Sequence, residues 1–359
     1  MKYSLLCAII GDVIGYGNGD IEFNFDLNLK VNNRNDIDRL SDISIRHVVD
    51  FISKGGYSNI DISNDIASDD TILMLGVYKA LKSNKSNDLD KIVDSINTHL
   101  ISSYKNDSKK DLRGYGYRTI KALERNMEGK DWRNFGYSES AGGSGASMRC
   151  SPIGLFFSGA NNRDKLMYIS IESSRITHNN GIGYLGGYAS ALMTAMAIEG
   201  IEPNKWIFEL ISNLKSQKMK QHIEQVICGN KFKNDLDKHL NDLSLFTSYC
   251  CNYTKSRKPI NENPSMKYFN LRSAFYYNHL ALRKGMLNPG SSGLDSVLIA
   301  YDSFLDCNGS FETLIYYSML HVGDSDTTGC IAGALFGAYY GEFNLSDNLR
   351  KVEFHSEIN

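Results

Sequence analysis

Apolar residues recur with a helical period in twelve segments of this chain: 2–11, 70–82, 88–104, 116–127, 144–157, 164–176, 184–199, 204–227, 272–283, 294–306, 311–320 and 328–340. Few stretches alternate with the two-residue period of a strand. The pattern confines the chain to an all-α architecture. Glycine gathers at the junctions, as in Gly142-Gly143-Ser144-Gly145 and Gly181-Ile182-Gly183, where close backbone approach costs little.

Two of these helices are entered through compact sets of oxygen donors about 250 residues apart. The first reads Ser68-Asp69-Asp70-Thr71 and the second His321-Val322-Gly323-Asp324-Ser325-Asp326-Thr327-Thr328-Gly329. Either run alone fits a helix cap. Two acidic entries of matching form ask for more. If the two N-termini converge, up to four carboxylates meet beside Ser68 and Thr327, and like charges that close need a cation. With no cysteine or histidine spacing beside them, such donors suit magnesium, manganese or calcium.

A chain of 359 residues can bury one large core or two to three ordinary domains. Three polar stretches, 24–43, 82–90 and 228–267, read as surface insertions or irregular loops. A single domain over 1–359 is expected, because a site drawing on both ends ties the chain together. The net charge of −2, from 39 basic and 41 acidic residues, supplies no field that would steer the chain to nucleic acid or an anionic membrane. Seven cysteines without a CxxC pair read as free thiols in a reducing, cytoplasmic compartment. The apolar run Leu5–Ile10 is short for a secretion signal and has no typical cleavage site after it. The stretch Leu185–Ile198, which carries Gly186, Gly187, Ser190 and Thr194, reads as a buried helix rather than a membrane span. Gly181-Ile182-Gly183-Tyr184-Leu185-Gly186 has the glycine spacing of a dinucleotide-binding turn, but a helical pattern, not a strand, precedes it.

Six motifs in order carry a family resemblance: Gly11-Asp12-Val13-Ile14-Gly15-Tyr16-Gly17-Asn18-Gly19 with Glu22-Phe23; Ser68 to Thr71; Gly145-Ala146-Ser147-Met148-Arg149; Ser170 to His178 followed by Gly183-Tyr184-Leu185-Gly186; Gly290 to Asp295 with Ile299 to Asp302; and His321 to Thr328. On these, the chain resembles the ADP-ribosylglycohydrolases, and among them the ADP-ribosylarginine hydrolases. The resemblance implies a compact orthogonal bundle of helices around two magnesium ions, with manganese a substitute. It assigns the metals to Ser68, Asp69, Asp70, Asp324, Asp326 and Thr327, all oxygen donors here. Glu22, which read alone is a solvated loop carboxylate, takes the place of a family glutamate near the scissile linkage and the metals. Glu22, Asp69 and Asp70 are then the catalytic candidates. Gly142, Gly143, Ser144, Gly145, Ala146 and Ser147, with Ser291, Ser292 and Gly293, would lie along ADP-ribose. Asp295 would contact the adenosine portion or hold a loop. His178 and His321 are expected to support the pocket rather than move protons.

The implied reaction is hydrolysis of the N-glycosidic bond between ADP-ribose and a protein arginine, reversing mono-ADP-ribosylation. Its partners are arginine-linked ADP-ribosylated proteins and ADP-ribose, with no nucleic acid or membrane, and a monomer is expected. The alternatives are hydrolysis of ADP-ribosylserine or O-acetyl-ADP-ribose, and a non-catalytic ADP-ribose-binding module.

Overall fold

The computed structural model describes residues 1–22, 34–257, 269–282 and 288–358. Among the described residues the chain is helical, with no β-sheet. It divides into two compact units. The first comprises Met1–Thr71, Lys109–Gly114 and Arg257–Asn359, and the second Ile72–Ser108 and Tyr115–Ser256.

The first unit is organised by a helix pair from opposite ends of the chain, Lys2–Tyr16 and Ser325–Tyr340. Nearly all of both helices is buried, so their apolar character runs all round rather than in a stripe. They pack backbone against backbone. A Cβ built on Gly11 would lie 2.1 Å from the Gly329 carbonyl oxygen, one on Gly15 2.3 Å from that of Ser325, one on Gly333 2.1 Å from that of Cys7 and one on Gly337 2.1 Å from that of Tyr3. These pairings rise by four residues on one helix as they fall by four on the other, so the helices run antiparallel. Ser4 Oγ donates to the Ala334 carbonyl at 2.8 Å, and Ser325 Oγ to that of Gly15 at 2.8 Å, stitching the seam near both ends. The first helix stops at Gly17, whose left-handed φ of 54° returns its N–H to the Val13 carbonyl.

Helix Gly293–Asp306 starts from a full capping box between Ser292 and Asp295. Its far end carries Asp302 and Asp306, which share two arginines. Arg257 Nε reaches Asp302 at 2.9 Å and its Nη2 reaches Asp306 at 2.5 Å, while fully buried Arg272 reaches Asp302 at 3.0 Å and also pairs with Asp306. Balanced in charge and arginine-forked, this cluster tolerates burial that a lone ion could not.

In the second unit, helix Leu89–Asn106 is capped by Asp88, which accepts from the N–H groups of Asp90 and Lys91, and buries Ile92, Val93, Ile96 and Leu100. Helix Gly181–Ile198 is long and apolar enough to cross a membrane, yet 94% of it is buried inside the protein. The helix Arg163–Arg175 precedes it, so the glycine turn at 181–186 has no strand behind it. Glu172 bridges Arg175 at 2.5 Å and His222 Nε2 at 2.9 Å in this unit's interior.

Four stretches depart from the sequence reading. The expected insertion at 24–43 lies outside the described residues as far as position 33, and from Arg34 to Ser53 there is a helix. Of the stretch 228–267, residues 258–267 lie outside the description, and in the described part Leu236–Ser256 is a 21-residue helix burying His239, Leu243, Phe246, Cys250 and Tyr253 rather than an irregular loop. Segment 144–157 breaks into a 3-10 turn, Ser144–Ala146, and a helix, Ser151–Phe156, around buried Arg149. Segment 204–227 breaks at Ser216, whose hydroxyl accepts from the Met219 N–H and starts a new helix.

Gly333→Val should cost about 3 kcal/mol or more, because the obstructing atom is a backbone oxygen that cannot rotate away. Gly116→Ala, whose Cβ would meet nothing nearer than 3.8 Å, should melt close to the parent, and thermal unfolding compares the two. Glu172 generates a pH prediction. Burial pushes its carboxyl up, but Arg175 and His222 outweigh burial and hold it below the ordinary glutamate value. A depressed carboxyl contributes stability above its unfolded pKa, roughly 4.3, and loses it as pH falls through the folded value. Glu172→Gln should therefore lower the melting temperature at neutral pH and flatten its decline in acid, read from melting curves between those limits.

Candidate metal centre

The helix seam sets the geometry of the centre. It brings the C-terminal end of Lys2–Tyr16, followed by Glu22, beside the N-terminal end of Ser325–Tyr340, which Asp324 precedes. Carboxylate oxygens of Glu22, Asp324 and Asp326 lie within 4.8 Å of one another. Asp324 stands at the N-cap position without capping the helix by its side chain. Its backbone is fixed instead: its N–H donates to the Pro289 carbonyl at 3.0 Å. At Gly323, with φ of 124°, a Cβ would meet that same carbonyl oxygen at 2.2 Å. Thr328 Oγ1, 2.7 Å from His321 Nε2, contacts the Ser318 carbonyl oxygen at 2.8 Å and that of Asp324 at 3.0 Å, so His321 supports the ligand loop from behind. Burial, with His47 adding to it, lowers the His321 pKa to about 4 and keeps the ring neutral.

The first cluster is held by Asp12, a carboxylate midway along the first helix. Asp12 Oδ1 accepts the Ser68 N–H at 3.1 Å; Oδ2 accepts the Thr71 N–H at 3.1 Å and the Thr71 hydroxyl. Ser68 Oγ caps the next turn by accepting the Asp70 N–H at 3.1 Å. Capping thus falls to the serine, and Asp70 Oδ2 is left buried with no hydrogen-bond partner. A buried orphan carboxylate oxygen aimed among other acids is what an oxygen-liganded cation would satisfy.

Electrostatics agrees. Burial first, then Asp324, Asp69 and Asp12, push the Glu22 carboxyl up to about 9. Burial and then Glu22, Asp70 and Asp324 raise Asp326; burial and then Asp12, Asp69 and Asp324 raise Asp70. Two carboxylates 4.8 Å apart repel by about 3 kcal/mol at an effective dielectric of about 20, so all of them ionise together only around positive charge. The six expected donors Ser68, Asp69, Asp70, Asp324, Asp326 and Thr327 all belong to the first unit, as does Glu22. Glu22, which the resemblance puts near the scissile linkage and the metals, enters the cation-sized group itself, although it was not among the six expected donors. Asp12 was missed as well; its signal is an acid inside an otherwise apolar helix.

The same unit holds the turn that leads into Gly293–Asp306. Gly290, with φ of 101°, lies against the Asp324 carbonyl, and the Ser291 hydroxyl is buried without a partner. Asp295 spends both oxygens on its own chain: Oδ1 accepts from the Ser292 N–H and hydroxyl at 2.8 and 2.6 Å, and Oδ2 from the Leu282 N–H at 3.0 Å. It therefore holds the loop. The glycine-rich loop of Gly142, Gly143, Ser144, Gly145, Ala146 and Ser147 belongs to the second unit. There, buried Arg149 reaches the Gly145 carbonyl, that of Ser173 at 3.1 Å and the Thr177 hydroxyl at 2.9 Å. Gly145 backs onto the His178 ring, where a Cβ would meet Cε1 at 2.7 Å. Burial, then Arg149 and Arg118, lower the His178 pKa to about 3, so it acts as a neutral wall.

The ADP-ribosylglycohydrolase family model matches residues 2–358. This chain belongs to the ADP-ribosylglycohydrolase family. A protein of Acanthamoeba polyphaga mimivirus, provisionally named an ADP-ribosyl glycohydrolase, is 34% identical over 355 residues, 97% of this chain and 66% of the viral one, so the chain spans just under two thirds of that relative's length. ADP-ribosylhydrolase ARH1 of Dictyostelium discoideum is 30% identical over 382 residues, covering 100% of this chain and 91% of its own length. ADP-ribosylhydrolase ARH3 of Gallus gallus is 28% identical over 212 residues, 56% of this chain and half of that protein. Among solved structures, one titled ADP-ribosylglycohydrolase-related protein complex shares the fold, with a TM-score of 0.56 at 17% identity over 99% of this chain and 93% of the other.

Asp12→Asn would turn an amide donor toward the Ser68 or the Thr71 N–H and undo half of the clasp. It should cost about 1–3 kcal/mol for the donors left unpaired. It should also weaken magnesium binding, with titration calorimetry on the folded variant as the measurement.

Proposed function

We propose that this chain is a metal-dependent ADP-ribosylhydrolase that releases ADP-ribose from protein arginine. The observation that carries the reading is the convergence of Glu22, Asp324 and Asp326 within 4.8 Å, with Asp70, whose buried Oδ2 has no hydrogen-bond partner, repelled by Asp324 and itself repelling Asp326. Two magnesium ions, or manganese in their place, would be held by Ser68, Asp69, Asp70, Asp324, Asp326 and Thr327. When bound, they would orient the ribose diol and lower the pKa of the attacking water. The match to the relative named ARH1 runs the length of this chain while those to two relatives named ARH3 cover 56% and 64% of it, which supports the ARH1-like side of the family.

The chain's own groups do the rest. Water oxygen bonds to the anomeric carbon as the carbon–nitrogen bond to the guanidine breaks through an oxocarbenium-like state. A carboxylate among Glu22, Asp69 and Asp70 takes the proton released by water and hands it to the departing nitrogen, so that the neutral guanidine freed by C–N cleavage leaves as guanidinium and the carboxylate is restored. Glu22, on the loop after the first helix, can pair with the arginine guanidinium in a charge-assisted hydrogen bond and hold the linkage over the acids. A serine linkage presents a neutral oxygen and gains little from that carboxylate. The free state of all seven cysteines supports a cytoplasmic setting.

Chelation should abolish release of ADP-ribose from an arginine-linked peptide, and added magnesium should restore it. Asp70→Asn and Asp326→Asn should each lower kcat by at least about a hundredfold while melting near the parent, since asparagine keeps the size but not the charge. Serine-linked peptide should show the smaller kcat/KM; equal or faster serine cleavage would overturn the arginine assignment and leave the hydrolase reading standing.

A further inference from the structure

The short segment Lys109–Gly114 belongs to the first unit although the chain on both sides of it belongs to the second. It touches the metal centre twice. The Arg113 carbonyl accepts the N–H of Asp69 at 3.0 Å, and Gly114, with φ of 68°, lies where a Cβ would come 3.3 Å from Glu22 Oε2. The Arg113 side chain, 3% exposed, turns the other way, and its Nη1 donates to the Ala67 carbonyl at 2.6 Å. The same guanidinium forks onto Glu353, Nη1 to Oε2 and Nη2 to Oε1, both at 3.0 Å. Glu353 Oε2 in turn accepts the Ala67 N–H at 2.9 Å. Both backbone polar groups of Ala67 and the N–H of Asp69 are therefore held by one arginine and one glutamate, each far from the other in sequence and from residue 67. Lys109 adds only a solvent-facing contact to Glu353 at 3.2 Å. The Arg113 guanidinium also lies over the Phe354 ring at 5.3 Å, so the C-terminal segment closes the arrangement.

We propose that Arg113 and Glu353 are positioning residues for the first set of metal donors: their fork fixes the backbone of Ala67, next to Ser68, and anchors the Arg113 carbonyl that receives the Asp69 N–H, and cation affinity depends on it. Neither touches the cation. Asp12 holds this turn at Ser68 and Thr71, the fork holds it at Ala67, and the Arg113 backbone carbonyl holds Asp69, so the donors are gripped from two sides. Rigid support of ligand groups raises affinity because the loop is not ordered at the moment of binding. A lysine at 113 keeps the charge but cannot make the planar fork. A glutamine at 353 keeps the shape and one acceptor but not the charge.

The inference rests on the metal reading of the site and not on the arginine linkage, and metal binding measured without substrate separates the two. Titration calorimetry with magnesium chloride, on protein shown folded by circular dichroism, should give dissociation constants raised roughly ten- to hundredfold for Arg113→Lys and Glu353→Gln. Lys109→Ala should stay within about twofold of the parent, since an exposed ion pair contributes little. Excess magnesium should restore turnover in both fork variants. In the unaltered chain, magnesium should slow hydrogen exchange at the Ala67 and Asp69 amides, which tests the linkage even if a variant fails to fold. Unchanged magnesium affinity in a folded fork variant, or exchange at those amides indifferent to magnesium, would overturn the proposal.

Discussion

Carbonyl oxygens of one helix sit where the side chains of another would begin, and the candidate metal centre depends on that contact. Along Lys2–Tyr16 and Ser325–Tyr340, glycines at 11, 15, 329, 333 and 337 let two backbones meet with no side chain between them. The contact admits no sliding by a residue, because a slip in register would drive a Cβ into a carbonyl. Register along the seam is therefore also register at its end, where the acids are.

That precision matters because the acids do not attract one another. Glu22, Asp324 and Asp326 are brought together against their own repulsion, and Asp70 is buried with an oxygen unmatched. The surrounding structure holds them: Asp12 grips one ligand turn, Pro289 and Gly323 fix the other, and Arg113 with Glu353 braces the first from outside. Stability taken from the seam is stored as charge crowding at the centre, which a divalent cation would relieve. The reading of the chain as a hydrolase rather than a mere binder of ADP-ribose rests on this crowding, since recognition of a diphosphate alone would not need several carboxylates at one point.

Legibility in the sequence followed the range of each cause. The helices at 70–82, 294–306 and 328–340 were readable because apolar period and acidic entry are local signals. Helix Leu236–Ser256 was not, because its inner stripe includes His239, Cys250 and Tyr253 among polar neighbours, so the period survives while apolar density drops. Arg149 ended a helix that periodicity would have continued, since a buried guanidinium seeks carbonyls that only a turn exposes. The donors of the centre were named from their motifs, but Asp12 and Arg113 were not singled out. Each acts on a residue more than forty positions away, and spacing along the chain carries no trace of that.

The paired aspartates at the end of helix Gly293–Asp306 have a consequence for how such a chain can vary. Arg257 and Arg272 dock on the same two carboxylates, so each acid serves two arginines at once. Neither aspartate can be lost alone without leaving both guanidinium groups short of a partner in a buried setting, so the four residues can change only as a set.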